Sequence, residues 1–272
     1  MASKDRSAGR QQRRSQKRPN HEPLLRLTQQ EITRKPVKAA NVILRPLTDA
    51  QRHYDACIHA NSITFGIGPA GTGKTWWAAM RAAEALKNGD IERIIVTRPA
   101  VEAGENLGFL PGELDEKYEP YFRPVRDALE ESLGSGHLEY CLKAKVIEAR
   151  PLALLRGATL KHAWVIADEM QNATVNQMKM FLTRIGENAR FIVNGDPNQC
   201  DLPGNVTSGL MDAVRRLQGK QDIGFVTFTK ADIVRHGLCQ VIVEAYETPA
   251  NSLDALSYNE DSEGLRRTIR VA

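Results

Sequence analysis

Short apolar runs recur along the chain between stretches in which apolar residues return every three or four positions. The runs are SITFGI (62–67), RIIVT (93–97), AKVIEA (144–149), AWVIAD (163–168), RFIVNG (190–195) and IGFVTF (223–228). Runs of this length read as strands buried on both faces. WWAAMRAAEALK, after the first run, reads as a helix. Thr174 and Gln177 form a capping-box pattern ahead of Val175, Met178, Leu182 and Ile185, which share one helical face. Asp49 is placed to cap an earlier helix. Strands that alternate with helices require right-handed crossovers. The pattern therefore predicts an α/β fold: one mostly parallel sheet with helices on both faces. Residues 1–40 lack periodicity and read as a disordered arm, and 249–272 read as a polar tail, leaving a folded domain over 41–248.

Composition changes this picture in three places. With 42% hydrophobic and 26% charged residues, the 272-residue chain is of ordinary globular type. No window approaches the roughly 18 apolar residues that span a bilayer, and the start is too polar for a secretory signal. A cytoplasmic protein without a membrane partner is expected. Cys57, Cys141, Cys200 and Cys239 are far apart and form no metal-type pair. His53, Cys57 and His59 lie close in sequence, but helix packing explains them better than zinc. Residues 1–35 hold ten Lys/Arg against three Asp/Glu, whereas the remainder holds 27 against 30. A basic arm on a near-neutral body suits either a phosphate backbone or a merely solubilising role.

Three segments carry chemistry. GPAGTGKT, comprising Gly68, Pro69, Ala70, Gly71, Thr72, Gly73, Lys74 and Thr75, matches the phosphate-binding loop G-x-x-x-x-G-K-[ST] between a strand and a helix. Its glycines let backbone N–H groups surround phosphates, and the following helix directs its positive end at the same anions. Lys74 is expected to reach the β- and γ-phosphates of a nucleoside triphosphate, and Thr75 to hold Mg²⁺. In VIADEMQNAT, Asp168 ends a strand and is the expected second Mg²⁺ residue, with Glu169 beside it as the base for the attacking water. In VNGDPNQCDLP, Gln199 follows another strand and is expected to sense the γ-phosphate.

Together these segments resemble the RecA-like core of superfamily-one helicases, and more closely the PhoH-like proteins, the phosphate-starvation-inducible ATPase family. The resemblance rests on GPAGTGKT, VTRPAVEAGENLGFLPGEL, RGATL, VIADEMQNATVNQMKMFLTRIG, NGDPNQCDLP and TKADIVRHGLCQVIVEAYE, and spans roughly Leu47 to Glu247. It implies a single RecA-like P-loop NTPase core. Ala158 in RGATL stands where a basic residue is common, and Pro197 and Cys200 where the family often has aliphatic ones. Gln51 looks like an adenine-reading glutamine with Tyr54 stacking nearby, and Arg98 like either a contact to nucleic-acid phosphate or a link from the strand end to ATP. ENLGFLPGELDEKYEPYFRPVRD is similar to an insertion loop, with bends at Gly104, Gly108 and Gly112.

A strand-stepping ATPase needs a second wall around ATP, and the chain has one phosphate loop. The missing wall implies a homo-oligomer, a hexameric ring, with Arg235 in DIVRHGL resembling an arginine finger acting on the neighbour's ATP. The expected partner is RNA or single-stranded DNA. An ATP-driven switch or adaptor that unwinds nothing is the alternative, and a small-molecule kinase a weaker one.

Overall fold

The structure, a computed structural model, describes residues 44–99 and 114–234. The arm, the tail, Arg235 and the three insertion glycines lie outside the described residues.

Thr48, in extended conformation, opens α1 (Asp49–Ala60) by accepting the Gln51 N–H at 3.1 Å. The cap is thus Thr48 rather than Asp49, which occupies the first helical position, where its charge still faces the positive helix end. The chain continues through β1 (Ile63–Ile67), α2 (Lys74–Asn88), β2 (Arg93–Arg98), α3 (Leu114–Leu133), α4 (Ser135–Lys143), β3 (Ile147–Pro151), β4 (Ala163–Ala167), α5 (Val175–Leu182), β5 (Arg190–Gly195), α6 (Gly209–Leu217) and β6 (Ile223–Thr227). Short 3₁₀ turns follow β3, β4, β5 and β6. The capping box at Thr174 and Gln177 is formed in both directions.

The six strands form one sheet in the order β3-β2-β4-β5-β1-β6, and every pairing is parallel. Side chains alternate between two cores. Ile94, Val96, Trp164, Ile166 and Ile192 pack with α1, α2, α3 and α4, whereas Ile95, Val165, Phe65, Phe191 and Val193 pack with α5, α6 and the turn after β3. Helices therefore cover both faces, as in RecA-like P-loop NTPase cores. Because all strands run the same way, all their carboxyl ends meet at one edge.

Two elements depart from the pattern-based reading. β3 starts at Ile147 rather than Ala144, because Lys145 takes a left-handed φ of 55° and Val146 donates to Cys141 O to close α4. Residues 114–127 of the expected insertion are the start of α3, although Pro120 and Pro124 disfavour a helix interior. Burial of Phe122, Val125, Ala128, Leu129 and Leu133 against the α2 side of the core outweighs that local cost.

Gly66 in β1 lies under Tyr54, whose hydroxyl donates to Asn194 Oδ1 at 2.6 Å. A Cβ at Gly66 would stand 2.7 Å from that Asn194 oxygen and 2.8 Å from the Tyr54 ring. Gly66→Ala is therefore expected to destabilise the protein by about 1–3 kcal/mol through overpacking, read as a lower urea midpoint at unchanged slope.

Candidate nucleotide site

The loop from Gly68 to Thr75 joins the carboxyl end of β1 to α2, and all three of its glycines take positive φ. A Cβ at Gly68 would fall 2.2 Å from the Phe228 carbonyl oxygen, at a φ of 140°. Gly73 caps α2 in the left-handed region, with φ 83°. Behind the loop, the buried Gln51 accepts the Leu47 N–H at 2.8 Å and donates to Thr72 O at 3.0 Å. Both ends of its amide are thus used within the chain. On the loop's other flank, Val234 N–H donates to Gly71 O at 2.9 Å.

Lys74 is buried and turned into the concavity of the loop. Its ammonium donates to Gly68 O at 2.7 Å, Pro69 O at 2.8 Å and Thr72 Oγ1 at 3.2 Å. Burial lowers its pKa, and the carboxylates of Asp168, Asp196 and Glu169 oppose that fall. Thr75 Oγ1 lies 3.0 Å from each carboxylate oxygen of Asp168, which leaves the end of β4. Burial foremost, and then the Glu169 charge, push Asp168 up to about 6, while the Thr75 hydrogen bond and the Arg98 charge pull the other way.

Glu169 takes a left-handed φ of 53°, a backbone conformation that costs a non-glycine residue energy and is tolerated at functional positions. Gln199, exposed at the turn Pro197–Gln199, lines the same cleft. The cleft measures about 320 Å³ and is bounded by the phosphate loop, Trp76, Arg98 and Pro124, as well as by the carboxylates. That volume falls within the roughly 300–1,000 Å³ of small-molecule pockets.

The structure thus brings Gly71, Gly73, Lys74, Thr75, Asp168, Glu169, Gln199 and Arg98 to one cleft. Arg98 faces Asp168 within that cleft, which couples it to the phosphate site. Tyr54 does not stack near a nucleotide: it is fully buried, edge-on to Phe228 at 5.4 Å. Four residues escaped the sequence reading. Trp76 and Pro124 line the cleft, Asp196 is buried at its floor, and Gln171 lies behind it. A signal for Gln171 is its position two residues after Glu169 in the same turn, but its burial depends on contacts with β5.

The donor set fits Mg²⁺. Thr75 and Asp168 offer hard oxygen ligands, and that ion completes its shell with water and phosphate. An aspartate whose ionisation is disfavoured by burial is the group a divalent cation would relieve. Among the described residues no group of three or more His, Cys, Asp or Glu could hold a metal ion. A larger cleft of about 610 Å³ at the opposite sheet edge, beside Arg81, Trp164 and Arg190, has no phosphate loop.

Asp168 sets a pH dependence whose sign follows from its raised pKa. The folded metal-free protein binds this proton more tightly than the unfolded chain, so stability falls as pH rises from about 4 to about 6. Asp168→Asn should raise the stability of the metal-free protein at pH 7.5 by about 1–2 kcal/mol, after discounting for solvent screening. Thermal melts with and without Mg²⁺ and nucleotide check this: the variant should melt higher alone and gain nothing from Mg²⁺.

Phosphate loop, acidic strand end and glutamine turn at the carboxyl edge of a parallel sheet define a P-loop ATPase. The chain belongs to the PhoH-like protein family, whose model matches residues 43–247. It is 51% identical over 219 residues to the PhoH-like protein of Bacillus subtilis (strain 168), covering 80% of this chain and 68% of that one. It is 52% identical over 200 residues to Protein PhoH of Escherichia coli (strain K12), covering 73% and 56%. The PhoH-like protein of Mycobacterium tuberculosis (strain ATCC 25618 / H37Rv) is 48% identical over 229 residues, covering 84% and 62%. The chain thus spans between 56% and 68% of the length of these relatives. The family is one of P-loop ATPases related to superfamily-one helicases, and membership implies ATP binding and hydrolysis. Among the described residues no helix is long and apolar enough to cross a membrane.

Proposed function

We propose that residues 41–248 form a Mg²⁺-dependent ATPase domain that works as a cytoplasmic homo-oligomeric ring, a hexamer, moving along or unwinding RNA or single-stranded DNA. The observation that carries the ATPase reading is the Thr75–Asp168 contact, which joins the phosphate loop to the acidic end of β4 beside the Lys74 ammonium. The phosphate loop would cradle the triphosphate, Lys74 would meet the β- and γ-phosphates, and Thr75 and Asp168 would hold Mg²⁺. The cation supplies charge neutralisation on the phosphate oxygens when bound.

Glu169 takes a proton from the attacking water, whose oxygen bonds to the γ-phosphorus as the bond to the ADP oxygen breaks. Gln199 orients that water or reads the γ-phosphate. Gln51 steadies the loop through Thr72, and reading adenine would require exchange of one of its present bonds. Arg98 would link the phosphate site to a bound strand. Arg235 of one subunit would complete the site of the next. The basic arm (1–40) adds non-specific affinity for phosphate backbones.

The deciding experiment is steady-state ATP turnover of the purified chain with and without single-stranded RNA or DNA, followed by strand displacement on a tailed duplex. Stimulation by one polymer with release of a strand is the expected result. Turnover indifferent to both polymers, with no strand released, would instead assign the cycle to a switch that recruits a partner. Arg235→Ala should lower turnover by about 10³–10⁵-fold while ATP still binds, as for arginine fingers elsewhere. Unchanged turnover in that variant would remove the trans finger.

A further inference from the structure

Gln171 is fully buried yet polar, and nothing in the nucleotide chemistry above uses it. It sits in the 3₁₀ turn Met170–Asn172, two residues beyond Glu169, and does not line the cleft. Its side-chain amide makes three hydrogen bonds. Nε2 donates to Glu169 Oε2 at 2.5 Å and to Gln199 O at 3.2 Å, and Oε1 accepts the Asp196 N–H at 3.1 Å. Its main-chain carbonyl accepts from Ser208 Oγ at 2.8 Å and Cys200 Sγ at 3.3 Å. The neighbouring Asn172 repeats the pattern one step on, donating to Asp201 Oδ2 at 3.1 Å and accepting the Asp201 N–H at 2.8 Å.

Space for this side chain is made by Gly195. A Cβ there would stand 2.8 Å from Gln171 Oε1, 3.0 Å from its main-chain nitrogen and 2.6 Å from Leu210. The last residue of β5 thus has no side chain at the point where the amide passes beneath it. One planar group then spans the ends of β4 and β5, holding a carboxylate on one side and the backbone of a turn on the other. An amide has a donor end and an acceptor end, and here each is matched to its partner. A fully satisfied buried network of this kind fixes geometry, because any displacement leaves a group unpaired at low dielectric.

We propose that Gln171 is a positioning residue for ATP hydrolysis: it ties the Glu169 carboxylate to the Asp196–Gln199 turn, so that base and phosphate-sensing turn move together. This rests on the roles of Glu169 and Gln199 proposed above. Gln171 is fully buried and does not line the cleft. It acts through Glu169, whose carboxylate oxygen Oε2 it holds by hydrogen bond. When Gln199 shifts with the γ-phosphate, its carbonyl carries the Gln171 amide and therefore the base.

The test compares full-length Gln171→Met, Gln171→Glu, Glu169→Gln and the Glu169→Gln/Gln171→Met double variant. Turnover, KM, affinity for a fluorescent non-hydrolysable ATP analogue and melting temperature are measured for each. Gln171→Met removes all three side-chain bonds. Gln171→Glu keeps the shape and the acceptor for Asp196 but faces Glu169 with a second carboxyl, so it decides the matter if the first variant does not fold. Both single Gln171 variants should lose about 10–100-fold in kcat, the range for partners that orient an active-site ligand, with analogue affinity within about threefold of wild type. In the Glu169→Gln background the Gln171→Met change should cost no further turnover, because the residue acts through that carboxylate.

Wild-type kcat in Gln171→Glu, or a loss confined to analogue affinity, would overturn the proposal. So would a loss that multiplies with that of Glu169→Gln. A Glu169→Gln variant with wild-type turnover would instead overturn the base assignment itself, and separates that failure from failure of the positioning role.

Discussion

Parallel insertion of β5 between β1 and β4 is the constraint on which the site depends. β1 delivers the phosphate loop and β4 delivers Asp168 and Glu169. If these two strands were neighbours, no third segment could lie between loop and carboxylates. With β5 between them, Asp196 and Gln199 arrive at the middle of the cleft from the same edge. Ligands of open parallel sheets bind outside the carboxyl ends of strands. Here three adjacent strand ends meet there, and the polar residues they carry face one another.

That convergence has an energetic cost, which the surrounding polar groups offset. Asp168 holds its proton to about pH 6 because burial disfavours its charge. Lys74 is also buried, and spends its donors on the loop's own carbonyls. Glu169 carries backbone strain. Each of these features opposes the stability of the bare fold. Groups that destabilise an isolated fold and complement a ligand are what a binding site requires.

The carboxyl ends are also where polar side chains are most deeply laced together. Gln171, Asn172, Asp196 and Asp201 join the turns after β4 and β5 by paired hydrogen bonds. Gln51 and Val234 hold the phosphate loop from two sides. The loop is therefore clamped by segments far from it in sequence, α1 ahead of β1 and the turn beyond β6.

Six strands, the phosphate loop and the acidic strand end are legible in the residues, because each is a local pattern: an apolar run, a glycine spacing, a carboxylate at a run's end. The capping box at Thr174 is local for the same reason. α3 was not legible, since Pro120 and Pro124 argue against a helix that packing against α2, α4 and β3 stabilises. Nor were the buried hydrogen bonds of Gln171 and Gln51, whose amides find partners 25 and 21 residues away. The sequence by itself determined which strands exist and which chemistry their ends carry. Only the tertiary structure decided the strand order that brings three ends together and the buried amides that tie them. A hydrogen-bond partner distant in sequence leaves no periodic trace along the chain.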